Sequence, residues 1–215
     1  DALQNPGRVP AIAQGGSGHT PGALPLTRCG PHRLGPRVAG EPGAPLVPAH
    51  GPDGRQVWLR LDLGSGRLAT EAENLRAWAS RRSLRLREAN LEATPPHLVL
   101  EGSPAVPFTI ASRADMDICR RLAWVKDLTV ALLPFHAEDM IYGALHAGGV
   151  GVTAEGEALL LDMSRVGDGD VASVQHDPLV LAPEVYGTKS SYGTPGERFA
   201  LGCLVYQTLT GTRPF

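Results

Sequence analysis

Leu181-Ala182-Pro183-Glu184 stands thirteen positions ahead of Glu197-Arg198-Phe199-Ala200-Leu201-Gly202-Cys203-Leu204-Val205-Tyr206, and Leu209-Thr210-Gly211-Thr212-Arg213-Pro214-Phe215 closes the chain. The second stretch reads as a helix from about Pro195 to Thr210. Proline is tolerated in a first helical turn because its missing N–H would have no partner there, and Gly211 suits the left-handed residue that follows a last turn. Upstream stands Tyr142-Gly143-Ala144-Leu145-His146-Ala147-Gly148-Gly149. Asp162-Met163-Ser164 begins thirteen positions after Gly149, behind a run of leucines.

Taken together and in this order, these stretches resemble the bacterial eukaryotic-like Ser/Thr protein kinase fold in a degenerate form. Leu181–Glu184 is similar to the Ala-Pro-Glu that closes an activation segment. The helix from Glu197 is similar to the central helix of the large lobe, and Leu209–Phe215 to the family's Leu-Thr-Gly-x-x-Pro-Phe. The resemblance runs from about Arg28 to Phe215 and is strongest from Ala114 onward. It implies an α+β, two-lobed protein-kinase-like fold: a small β-rich N-lobe over about 32–111 and a mainly helical C-lobe over about 112–215 that lacks its last helices.

The same resemblance assigns roles by position. Ala144 stands where the catalytic Asp accepts the substrate proton, and Gly149 where an Asn holds Mg²⁺. Neither side chain offers an oxygen. The implied protein is a pseudokinase, not an enzyme, with no catalytic residue and with ATP and Mg²⁺ doubtful as cofactors. Asp162 matches the Asp of Asp-Phe-Gly and is the candidate metal ligand; it also reads as a carboxylate ending a buried strand and satisfying turn amides. Met163 and Ser164 replace Phe and Gly. Arg60, in Val57-Trp58-Leu59-Arg60, stands where a strand Lys contacts phosphate, and an Arg fork is not interchangeable with a point charge. Glu73 is its candidate helix partner, and Arg60, Glu73 and Asp162 form the candidate nucleotide site. A solvated Arg60 and a Glu73 that caps a helix are the alternative. The phosphate loop would fall on Gly40-Glu41-Pro42-Gly43-Ala44-Pro45, whose prolines remove N–H donors. His146 matches a loop histidine of small-molecule kinases and reads otherwise as a structural loop histidine, and Glu197 replaces an Asp at the start of the central helix. Glu184 lacks the later Arg with which it would pair.

Composition narrows the classes further. Net charge is −2, from 20 Lys+Arg against 22 Asp+Glu, so nothing favours nucleic acid or an anionic membrane as partner. Cys29, Cys119 and Cys203 are odd in number and far apart, which fits neither a disulfide framework nor a zinc site; a reducing cytoplasm is the expected compartment. Apolar runs such as Leu128–Phe135 fall far short of the about 20 residues that span a bilayer. With no initiator Met, Asp1 reads as an internal position of a longer chain.

Residues 1–31 are Gly/Pro-rich without an apolar period and read as a flexible linker, with a strand near Ala23–Arg28. Residues 45–50 and Gln56–Asp62 read as strands around the turn Gly51-Pro52-Asp53-Gly54. Thr70 to Ser80 reads as a helix with Thr70 and Glu73 in capping-box spacing. His97–Leu100 and Pro107–Ile110 read as strands. Ala114–Leu133 reads as the longest helix, with Ile118, Leu122, Val125, Leu128 and Leu132 on one buried face. Val150–Thr153 and Ala158–Leu161 read as a hairpin. The leading function is a regulatory or scaffolding module that binds a protein partner of unknown identity. The alternative is an unorthodox ATP-dependent phosphotransferase, or a nucleotide sensor, using Asp162.

Overall fold

The computed structural model describes residues 26–36, 39–41, 44–78, 82–102, 105–108, 117–146, 148–153, 155–167, 169, 181–185 and 192–215. The molecule is α+β, with an antiparallel sheet in its N-terminal part and long helices later. The strands are β1 (Arg28–Cys29), β2 (His32–Leu34), β3 (Ala39–Glu41), β4 (Ala44–His50), β5 (Gln56–Leu61), β6 (Arg85–Asn90), β7 (His97–Glu101), β8 (Ala105–Pro107), β9 (Val150–Thr153) and β10 (Ala158–Leu160). The helices are α1 (Leu68–Ala77), α2 (Ile118–Ala137) and α3 (Gly193–Thr210), with a 3-10 turn at Pro183–Val185.

The first seven strands form one sheet in the order β1-β2-β4-β5-β7-β6, with β3 also on β4. The expected hairpin is present: His50 pairs with Gln56, and Gly54 takes φ 75° in the turn between them. Alternation along β5 divides its side chains between two faces. Val57, Leu59 and Leu61 join Val47, Ala49, Val99 and Cys29 on one face. Trp58 packs with Leu46, Leu98 and Leu100 on the other, beneath α1. Arg60 shares that second face by period two, and this places a cation inside the core.

Helix α2 begins later than the sequence suggests, because the Asp117 side chain accepts the Arg120 N–H at 3.0 Å and caps it. Its buried face is Trp124, Leu128, Ala131, Leu132 and Phe135. Ile118 and Leu122 are instead exposed, at 55% and 51%. Leu128 and Leu132 of the expected stripe are buried and Val125 packs partly buried against the core, so the packed face is turned from the expected one toward Trp124, which stacks on Phe108 and donates to the Gly151 carbonyl at 3.1 Å.

The β9–β10 hairpin and α3 match their expected spans closely, and Gly211 ends α3 at φ 77°. The expected linker lies outside the described residues up to 25, and Cys29 in β1 is buried opposite His32. Residues 79–80, 109–110 and 114–116, at the edges of three expected elements, and Pro42 and Gly43 of the expected phosphate loop also lie outside the described residues. No described helix is long and apolar enough to cross a membrane.

Candidate functional site

Helix α1 buries Leu68, Glu71, Ala72 and Leu75. Those positions follow the i, i+3, i+4, i+7 rule of one helix face, so a carboxylate is carried into the apolar stripe above Arg60. Arg60 Nε lies 3.1 Å from Glu71 Oε2, with both side chains almost wholly buried. Glu73, two positions on, points to solvent. The partner of Arg60 is therefore Glu71 and not Glu73, and Glu73 makes no capping box, since α1 starts at Leu68 without a side-chain cap. The signal was present: Glu71 falls in register with Leu68, Ala72 and Leu75, and Glu73 does not.

The other guanidinium nitrogens of Arg60 donate to the Ala44 carbonyl at 3.0 Å and to the Leu161 carbonyl. Arg60 thus ties β4, β5, α1 and the segment entering Asp162 to one charge. Asp162 is buried, and its Oδ1 accepts the Ser164 N–H at 2.9 Å and the Ser164 hydroxyl at 2.6 Å. The Asp162 N–H donates to the Tyr142 hydroxyl at 3.0 Å, which itself donates to the Gly149 carbonyl at 2.6 Å.

Burial raises the Glu71 carboxyl to about 7, against the pull of Arg60. Burial also opposes ionisation of Asp162, but the Arg60 charge and the two Ser164 donors outweigh it, and its pKa is lowered. For Arg60, burial is outweighed by the charges of Glu71 and Asp162, so its pKa is raised. The site holds one permanent cation, one firmly ionised carboxylate and one carboxyl that titrates near neutrality.

The loop 142–146 is hung from α3. Glu197, fully buried, accepts the Gly143 N–H at 2.9 Å and the Tyr142 N–H at 3.2 Å, and meets His136 Nε2 at 2.8 Å. Gly143 takes φ 71°, and a Cβ there would meet the Arg165 carbonyl. A Cβ at Gly149 would run into the Ala144 carbonyl oxygen. His146 turns inward, where its Nδ1 accepts the Gly148 N–H at 3.1 Å. Ala144 is wholly buried.

Mg²⁺ uses hard oxygen ligands and commonly takes only one or two from the protein, the rest from phosphate and water. Asp162, held ionised beside a buried cation, fits one such position. Ala144 and Gly149 supply no second side-chain oxygen.

The chain is similar to several curated protein kinases. It is 30% identical over 95 residues to "Developmentally-regulated protein kinase 1" of Dictyostelium discoideum, covering 42% of this chain and 13% of that protein. Against "Rhodopsin kinase GRK7" of Ictidomys tridecemlineatus it is 31% identical over 106 residues, covering 42% and 19%. Against "Protein kinase C-like 1B" of Caenorhabditis elegans it is 28% identical over 113 residues, covering 50% and 16%. These likenesses support a kinase-like fold, with which the α+β arrangement is compatible. The matched stretch spans a fifth or less of each of these kinases. No family model matches the chain. The expectation that the kinase-like chain is not an enzyme is overturned by these likenesses, because the relatives are named as protein kinases, and protein kinases are enzymes.

Proposed function

We propose that this chain is a kinase-like domain that takes up a nucleotide beside Asp162 and transfers phosphate by an unorthodox, slowed route. In this reading residues 32–111 form a small lobe and 112–215 part of a larger one. The observation that carries it is the closed Arg60–Glu71 pair at 3.1 Å with the ionised Asp162 against it. In kinases the corresponding pair and the carboxylate must both be in place. Phosphoryl transfer depends mainly on positioning and on neutralising charge; an absent base lowers the rate by about 10²- to 10⁴-fold. Ala144 therefore slows the reaction. Asp162 is the residue that would hold Mg²⁺, which when bound neutralises phosphate charge. Arg60 acts through its field and through the shape it gives the site, since its three nitrogens already meet protein acceptors.

The test is phosphate transfer from Mg·ATP to a protein or peptide, compared between the wild type and Asp162→Asn. Turnover lost in a variant that keeps its circular dichroism supports the proposal. No turnover from folded wild type contradicts it.

A second reading, a nucleotide-sensing regulatory module that binds a protein partner, is favoured by Ile118, Leu122 and Leu133, which stand 51–56% exposed on α2. It predicts that ATP raises the melting temperature and changes association with a partner. An association indifferent to ATP contradicts it.

A further inference from the structure

One turn beyond Glu71 on α1, the Asn74 Nδ2 donates to the Met163 carbonyl at 2.8 Å and to the Val166 carbonyl at 3.3 Å. Glu71 Oε1 accepts the Met163 N–H at 3.4 Å. Helix α1 thus holds both polar groups of the residue that follows Asp162, and Asn74 reaches three residues further into the same segment.

We infer that Asn74 is a positioning residue, which with Glu71 clamps segment 163–166 to α1 and so fixes the placement of Asp162. This rests on the reading of Asp162 as the nucleotide-site carboxylate. Four successive amides define the clamped segment: Leu161 donates to the Gly149 carbonyl, Asp162 to Tyr142, Met163 to Glu71 and Ser164 to the Asp162 side chain. The Met163 and Val166 carbonyls receive a partner from α1 through the Asn74 amide group. Asparagine suits the task because one NH₂ carries two donors, and leucine has the same branching without either. Arg76, on the exposed side of the same helix, makes no such reach into the segment.

The experiment measures amide hydrogen exchange across the whole chain for wild type, Asn74→Leu and Arg76→Ala, and the Mg²⁺ concentration that half-saturates the ATP-induced rise in melting temperature. Asn74→Leu is expected to speed exchange in 161–166 about five- to tenfold, the size expected for losing a net hydrogen bond or two, while β5 and β7 stay unchanged. It should raise the half-saturating Mg²⁺ several-fold, and Arg76→Ala should alter neither. Unchanged exchange in 161–166, or acceleration spread equally over β5 and β7, overturns the clamp. Selective acceleration with no Mg·ATP response in wild type upholds the clamp and removes the nucleotide reading instead.

Discussion

The Tyr142 hydroxyl meets the Asp162 backbone, accepting its N–H at 3.0 Å while donating to the Gly149 carbonyl at 2.6 Å. One phenol therefore joins the loop 142–149 to the strand end that presents the site carboxylate. Tyr142→Phe keeps the ring and leaves a buried donor and a buried acceptor without this partner. We expect a loss of about 1–3 kcal/mol, read from urea unfolding midpoints at unchanged slope.

Arg60 and Glu71 are a buried pair, and removing one partner strands the other. Arg60→Met should destabilise by about 3–5 kcal/mol, and adding Glu71→Leu should recover most of that loss. A double-mutant cycle by chemical denaturation checks it. Equal and additive losses would show that the pair is not coupled.

Stability should also respond to pH through Glu71. Its folded value, about 7, lies above the ordinary 4.5, so between these limits the folded state binds more protons than the unfolded one. Its contribution is full below the ordinary value and declines as pH rises toward 7. Asp162 acts in the opposite sense: its lowered value gives stability above the ordinary carboxylate range that is lost as pH falls through it. Glu71→Gln should flatten the decline between about pH 5 and 7, and Asp162→Asn the acid limb. Melting temperatures across the range read both.

Restoring the absent oxygens should not be neutral. Gly149→Asn places a Cβ against the Ala144 carbonyl, and such overpacking typically costs about 1–3 kcal/mol. Ala144→Asp introduces a charge at a wholly buried position, where an unpaired carboxylate is unfavourable. Thermal unfolding of each variant checks this; undiminished stability would mean that the loop opens readily.

Much of this arrangement is legible in the residues. The hairpin around Gly54 and the helix ended by Gly211 follow from local patterns of turn chemistry and apolar spacing, whereas Asp162 and Arg60 are singled out only by their positions in the kinase resemblance. The Glu71 partner follows from a helical stripe, but Glu73 competes with it because a capping box is a shorter-range pattern than a packed face. Strand β6 lacks clean alternation, as Arg85, Arg87 and Glu88 are exposed along a strand that, among the described residues, pairs with β7 alone. The exposed Ile118 and Leu122 show the converse limit: spacing identifies a helix face, whereas Trp124 and Phe108 decide which face is buried. The clamp by Asn74 joins residues 89 positions apart, a separation no local pattern reports.

The most direct measurement is a thermal-shift titration of the wild-type chain with ATP, with and without Mg²⁺. A ligand that binds only the folded state raises the melting temperature as its concentration passes the dissociation constant. We predict a saturable rise that requires Mg²⁺ and is lost in Asp162→Asn. An unchanged melting temperature at millimolar Mg·ATP would contradict a nucleotide site at Asp162.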